Sequence, residues 1–292
     1  MTLDSGQGTS IGGGRGIIGS GKSIWATFTA SLALLENFRL VLPLLLYFIL
    51  KLCVAVLYIA GVREPLTSFW ALFLPGAGSE IVSHYPEHLL LMQVILRRLD
   101  LLLEIFVHIL FQGATIVLVS SAIGRRRPTV GGAFRTAARR YAALIGIAFI
   151  AAVAIQICII VPELVIRRVM GQGAGELATA AAILLGLGAQ ALFLYAAPAV
   201  LISGLGMISA IKKGLVIAKR SFIYTYMLVG LPFVLTVPTL LLSFKTRLIA
   251  FRLSPEVLIY ILIAGELMQF IATYLITSAS AVTFVRRMEE TK

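Results

Sequence analysis

Charge is what this sequence has least of: Asp, Glu, Lys and Arg make up 13% of 292 residues, with 13 acidic against 25 basic side chains. A soluble domain carries about 25% charged residues, and disordered chains are richer in charge and poorer in apolar residues, so neither class fits. Cysteine is nearly missing. Cys53 and Cys158 both fall inside apolar runs, which excludes a disulfide framework and leaves no Cys/His metal spacing, so neither a metal nor another cofactor is expected. Histidine occurs three times. His84 and His88 stand at H-x-x-x-H spacing, but Glu87 directly precedes the second, unlike the H-E-x-x-H of zinc hydrolases. A nucleophile elbow is missing too, so catalysis is not expected. Residues 1–20 have none of the basic start, short apolar core and cleavage site of a signal peptide; they are Gly- and Ser-rich and read as a flexible cytoplasmic tail.

What is present is apolar length. Hydrophobic residues reach 59% and mean hydropathy is +0.99. Apolar windows near 40–61, 101–123, 142–166, 177–203, 222–244 and 256–284 are each long enough to cross ~30 Å of hydrocarbon. They lack the alternation of barrel strands, so backbone groups in lipid must be satisfied within helices. The expected fold is an all-α membrane protein with six transmembrane helices in a single domain over 21–288. With the N-terminus inside, sixteen Lys and Arg fall on the cytoplasmic side against eight outside. The positive-inside rule therefore predicts an inner (plasma) membrane protein with both termini cytoplasmic.

Residues 16–23, GIIGSGKS, satisfy the Walker A pattern letter for letter. A working phosphate loop needs a buried strand before it and a helix after it. The preceding residues have no apolar run to form that strand, and no later segment is a soluble strand ending in a magnesium-binding Asp. No nucleotide is expected there, and Ser20 or Ser23 is expected to cap a helix beginning near Ile24.

Three segments are amphipathic but too short to span, as in helices lying in a membrane interface. The first places Trp25, Phe28, Leu32 and Leu35 on one face. The second, with Pro128 and Thr129 as its start signal, places Val130, Phe134, Ala137, Tyr141 and Leu144 there, with Arg135, Arg139 and Arg140 elsewhere. In the third the face is Ile208, Ile211, Leu215, Ala218 and Phe222, and Ser209 is the candidate cap. An 80-residue offset matches Thr129 to Ser209, Ala138 to Ala218 and Arg140 to Arg220. The pattern suggests three tandem units, each an interfacial helix followed by an out-and-back pair of spans, related by an axis along the membrane normal.

Ionisable side chains inside spans cost ~2.5 to 3.5 kcal/mol each on insertion scales and are functional candidates by default. Asp100, Glu104, His108 and Gln112 follow one another at spacing four, on one stripe of the second span. Lys51 lies in the first span and Glu266 in the sixth. If they meet, they form a proton- or cation-handling site; the alternative is that they pair only to hold helices together. On the cytoplasmic side, Arg125, Arg126, Arg127, Arg135, Arg139, Arg140, Lys212, Lys213, Lys219 and Arg220 form basic clusters suited to anionic lipid headgroups. In a polytopic chain such clusters signal topology and lipid rather than nucleic acid.

Two stretches carry a resemblance: residues 124–147, GRRRPTVGGAFRTAARRYAALIGI, and 191–235, in which an aromatic-rich span leads to Pro198, a polar turn and a basic helix opened by Ala210. They are similar to the six-helix membrane domain that precedes the catalytic barrel in some bacterial glycerophosphodiester phosphodiesterases, and to its stand-alone relatives. The resemblance implies the six-span layout; no barrel is present, so it does not imply phosphodiesterase activity. Relatives often have Glu near Gly204 and Ser near Gly214. The expected function is a non-catalytic scaffold or accessory subunit engaging anionic lipid, or a protein partner at the cytoplasmic face, through its basic helices. The alternative is a small transporter or channel with an intramembrane polar site.

Overall fold

The computed structural model of the chain describes residues 24–60, 69, 87–124, 129–170, 175–254 and 256–290. The Walker-like segment, Arg125, Arg126, Arg127, His84 and most of residues 61–86 lie outside them. The described residues form helices and no strand. Five are long and apolar enough to cross a membrane, or six if one bent pair counts as a span, as expected of a membrane protein.

In chain order the helices are α1 (Ile24–Ala33), α2 (Phe38–Ala60), α3 (Glu87–Leu103), α4 (Ile109–Ile123), α5 (Val130–Arg139), α6 (Tyr141–Met170), α7 (Gly175–Phe193), α8 (Ala196–Ser203), α9 (Met207–Arg220), α10 (Phe222–Val234), α11 (Val237–Phe244), α12 (Thr246–Arg252) and α13 (Val257–Glu289). The second long helix begins at Glu87, well before residue 101, because Leu89 to Leu96 bring an apolar face of their own, burying Leu89, Met92, Ile95 and Leu96. The polar stretch after α11 is a helix rather than an irregular loop, anchored by buried Ile249.

Two of the breaks follow from proline. A proline ring clashes with the carbonyl four residues earlier. Pro198 thus disfavours continuation through Leu194, where α7 gives way to α8, and Pro238 does the same at Val234, where α10 ends. Pro162, by contrast, sits within an unbroken α6.

Helix packing follows one rule around the bundle. The short helix of each segment packs on the last helix of the segment before: α5 on α4, α9 on α7 and α8, and α1 on α13, which closes the ring. Each following helix, α2, α6 or α10, touches its own hairpin partner (α4, α7 and α13 in turn) and the corresponding partner in the previous segment. α4, α8 and α13 contact one another at the centre.

Burial sharpens the internal match. Buried positions pair Ala133 with Gly214, Ala137 with Ala218, Leu144 with Thr225 and Ile147 with Leu228, one residue beyond the 80-residue offset. Ala138, matched to Ala218 by sequence, is exposed, and Ala137 holds the buried position instead. The caps differ as well. Thr129 Oγ1 accepts from Gly132 N at 3.3 Å, whereas α9 starts from Gly206 and Ser209 lies within its first turn. On α1, Phe28 of the apolar face is buried together with Thr27, Ala30 and Ser31, while Trp25 and Leu32 of that face are exposed. Thr27 Oγ1 shares a 2.7 Å hydrogen bond with Tyr224 OH beside the apolar contact of Phe28 with Leu228, Leu275 and Ala279.

The largest apolar cluster joins Ile116 and Val119 of α4, Ala197, Ala199 and Val200 of α8, and Ala281, Val282 and Phe284 of α13 to Ala137 of α5 and Ala210 and Ala218 of α9. Residues preceding this cluster on α4 and α13, and Gln190, Phe193 and Leu194 ahead of α8, line a cavity.

Candidate functional site

The polar groups of three separate segments meet. Lys51 of α2, at 9% exposure, places Nζ 2.6 Å from Glu266 Oε2 of α13 and 3.2 Å from Asp100 Oδ2 of α3. One cation thus bridges two carboxylates, leaves one negative charge over and ties three helices together. Removing the lysine would leave both carboxylates uncompensated in a medium of low dielectric.

Between α3 and α4 the chain makes a single π turn, Glu104–His108. Such turns are rare inside α-helices and frequent at functional sites. Its effect here is geometric. An α-helix drifts ~40° every four residues, so Asp100, Glu104, His108 and Gln112 on a pure α-helix would spread over ~120°. The wider turn takes up an extra residue and rotates the stripe back toward one side. Tyr141 of α6 supports the turn by donating from its hydroxyl to the Phe106 carbonyl.

Two cavities flank this turn. The smaller, of about 20 Å³, has Tyr47, Lys51, Glu104, His108, Glu266 and Gln269 among its lining residues. That is room for one water molecule. Tyr47 OH and His108 Nε2 are buried there without a hydrogen-bond partner, and their rings lie 4.9 Å apart between centroids. The larger cavity, of about 390 Å³, shares Glu104, His108, Gln269 and Thr273 with the smaller one and extends to α6, α7 and α10. Glu104 is exposed to it, with no basic side chain within ion-pair distance among the described residues. Most of its wall is apolar.

The site therefore gathers Lys51, Asp100, Glu104, His108 and Glu266, and adds Gln112, whose Nε2 donates to Thr277 Oγ1 at 3.4 Å. Gln156, Gln190 and Gln269 also reach the larger cavity. Gln156 and Gln190 were not singled out in the sequence, although a primary amide within an apolar run is itself a signal that something polar must face it. Each central segment contributes one: Gln112 before the cluster on α4, Gln190 on α7, Gln269 on α13.

Arg135 and Arg139 of α5, Arg140 at its C-terminal cap, and Lys212, Lys219 and Arg220 of α9 are exposed. Lys213 differs. It is half-buried, donating from Nζ to Ser203 Oγ at 3.3 Å and lying 5.6 Å from the Phe284 ring centroid, so packing has taken it out of the exposed set. Where relatives of the resembled domain often carry Glu and Ser, Gly204 adopts φ 67 as the α8 cap, and a Cβ on Gly214 would stand 2.9 Å from the Ala196 nitrogen. His88 falls in α3 and His84 outside the described residues, and among those described no group of three metal-ligating side chains occurs. No family model matches this chain, and no curated protein or solved structure matches it either.

Proposed function

We propose that this chain is a small transporter: six spans in three parallel helix-plus-hairpin units, both termini cytoplasmic, moving a solute through the cavity between the central helices. The observation that carries the reading is the convergence of Lys51, Asp100, Glu104, His108 and Glu266 beside a cavity of about 390 Å³. A dry structural pair would not need a carboxylate without an ion-pair partner opening on a cavity this size. An open channel fits less well, since the apolar cluster of Ile116, Val119, Ala197, Val200 and Ala281 closes one end. A packed end beside an accessible cavity supports a carrier over an open channel.

Cysteine accessibility tests the reading. In a background carrying Cys53→Ala and Cys158→Ala, single cysteines at Ala152 or Thr273 on the cavity wall should react with a charged methanethiosulfonate reagent added from one side of the membrane. Cysteines at Val119 or Ala199 in the packed cluster should not. Unreactive cavity positions from both sides would end the proposal.

The exposed basic residues of α5 and α9 support a second reading, engagement of anionic lipid as a scaffold or accessory subunit. Near an anionic surface each is worth about 1 kcal/mol. The two readings are compatible, because a carrier also needs its lipid contacts.

A further inference from the structure

We infer that the larger cavity binds a small organic cation, an amine or ammonium, with Glu104 as its counter-ion. The inference rests on the transporter reading and names its substrate class. Among the described residues lining that cavity, Glu104 is the lone carboxylate and no Lys or Arg is present. Lys51 is held behind it, bound to Glu266 and Asp100 on the side of the smaller cavity. A carboxylate within an apolar helix bundle is costly without a partner, and a cation entering the cavity supplies one. An anionic solute would meet Glu104 and find no positive group among the lining residues described.

The rest of the wall fits the same ligand. Four glutamines and three threonines offer carbonyl and hydroxyl oxygens that replace part of a cation's hydration without bringing a competing charge. Phe193 and Phe233 supply aromatic surface, which attracts alkylammonium groups when their faces are presented. Ile109, Ile155 and neighbouring alanines accommodate alkyl carbon. Behind Glu104, the Tyr47 hydroxyl, 8% exposed by residue and without a hydrogen-bond partner, lines the one-water cavity. One water there would let Tyr47 and His108 support the carboxylate from the side opposite the ligand.

The test uses three molecules of nearly one shape and different charge: choline, 3,3-dimethylbutan-1-ol and 3,3-dimethylbutanoate. The full chain is placed in phosphatidylcholine nanodiscs, and binding is measured by equilibrium dialysis with thermal denaturation in parallel. Choline is expected to bind saturably, at least tenfold tighter than the alcohol, with no binding of the carboxylate. Glu104→Gln should weaken choline binding tenfold or more. Glu104→Asp, which keeps the charge, should retain the preference, and so covers the case in which Glu104→Gln fails to fold. Equal binding of choline and the alcohol, or unchanged choline binding by Glu104→Gln, would overturn the cation class while leaving a solute cavity standing. Binding by none of the three would overturn the cation site, and the transporter reading would then stand or fall on the cysteine accessibility of Ala152 and Thr273.

Discussion

Lys51 Nζ lies 2.6 Å from Glu266 Oε2, joining the first long helix of the chain to the last. The two residues are far apart in sequence, and the contact closes the bundle at the level of the cavity. Its strength comes from burial, 9% exposure for the lysine and 16% for the glutamate side chain, rather than from charge alone.

Replacing Lys51 by Met leaves Asp100 and Glu266 without their shared cation. Loss of one partner of a buried pair costs about 3 to 5 kcal/mol. Lys51→Met is expected to melt well below the unsubstituted protein, and adding Glu266→Gln should recover part of the loss because one stranded charge is gone. Thermal unfolding in detergent checks both. An unchanged melting temperature for Lys51→Met would mean that the pair is not formed.

Gly214 and Gly206 should respond oppositely to alanine. A Cβ at Gly214 meets backbone of Tyr195 and Ala196, at 2.9 Å from the Ala196 nitrogen, which cannot swing aside as a side chain can. Gly214→Ala should therefore push α9 off α8 and cost about 1 to 3 kcal/mol, the range for overpacking. Gly206 has φ −70 and open space where a Cβ would go. Gly206→Ala should stay within about 0.5 kcal/mol. Equal effects at the two positions in a denaturation series would contradict the packing described.

The hydrogen bond between Thr27 and Tyr224 holds α1 against α10. Thr27→Val and Tyr224→Phe are each expected to cost about 1 kcal/mol, and the double variant to cost less than their sum. A double-mutant cycle reads this coupling, and strict additivity would show that the contact contributes nothing.

Thr129 caps α5, its hydroxyl accepting from the Gly132 amide. Thr129→Ala should destabilise the helix start by about 1 kcal/mol and Thr129→Ser much less. Amide hydrogen exchange at Gly132 is the direct measurement, with faster exchange in the alanine variant and near-native exchange in the serine variant.

Simultaneous reversal of Arg135, Arg139, Lys212 and Lys219 to Glu should abolish selective retention of anionic lipid, measured by native mass spectrometry after purification from mixed liposomes. All four side chains are exposed, so stability should change little. Equal lipid retention by both proteins would reduce the basic residues to a topology signal.

The helical class, the long apolar helices and the identity of the buried charges were legible in the sequence, because lipid imposes simple local requirements. A run of apolar residues must be helical to satisfy its backbone, and a charge within such a run stands out against its neighbours. Lys51, Asp100, Glu104, His108 and Glu266 could be named for that reason. Their meeting could not, since it depends on how α2, α3 and α13 are placed around the ring. The π turn at Glu104–His108 could not be foreseen either: it depends on tertiary support, including the Tyr141 contact with Phe106, and it redirects a stripe that regular helical spacing would have spread. For the same reason Ala137 rather than Ala138 pairs with Ala218, and Gln156 and Gln190 count as cavity residues only once the surrounding helices are in place. Apolar length decided which segments form the long helices; helix packing decided which polar groups face one another.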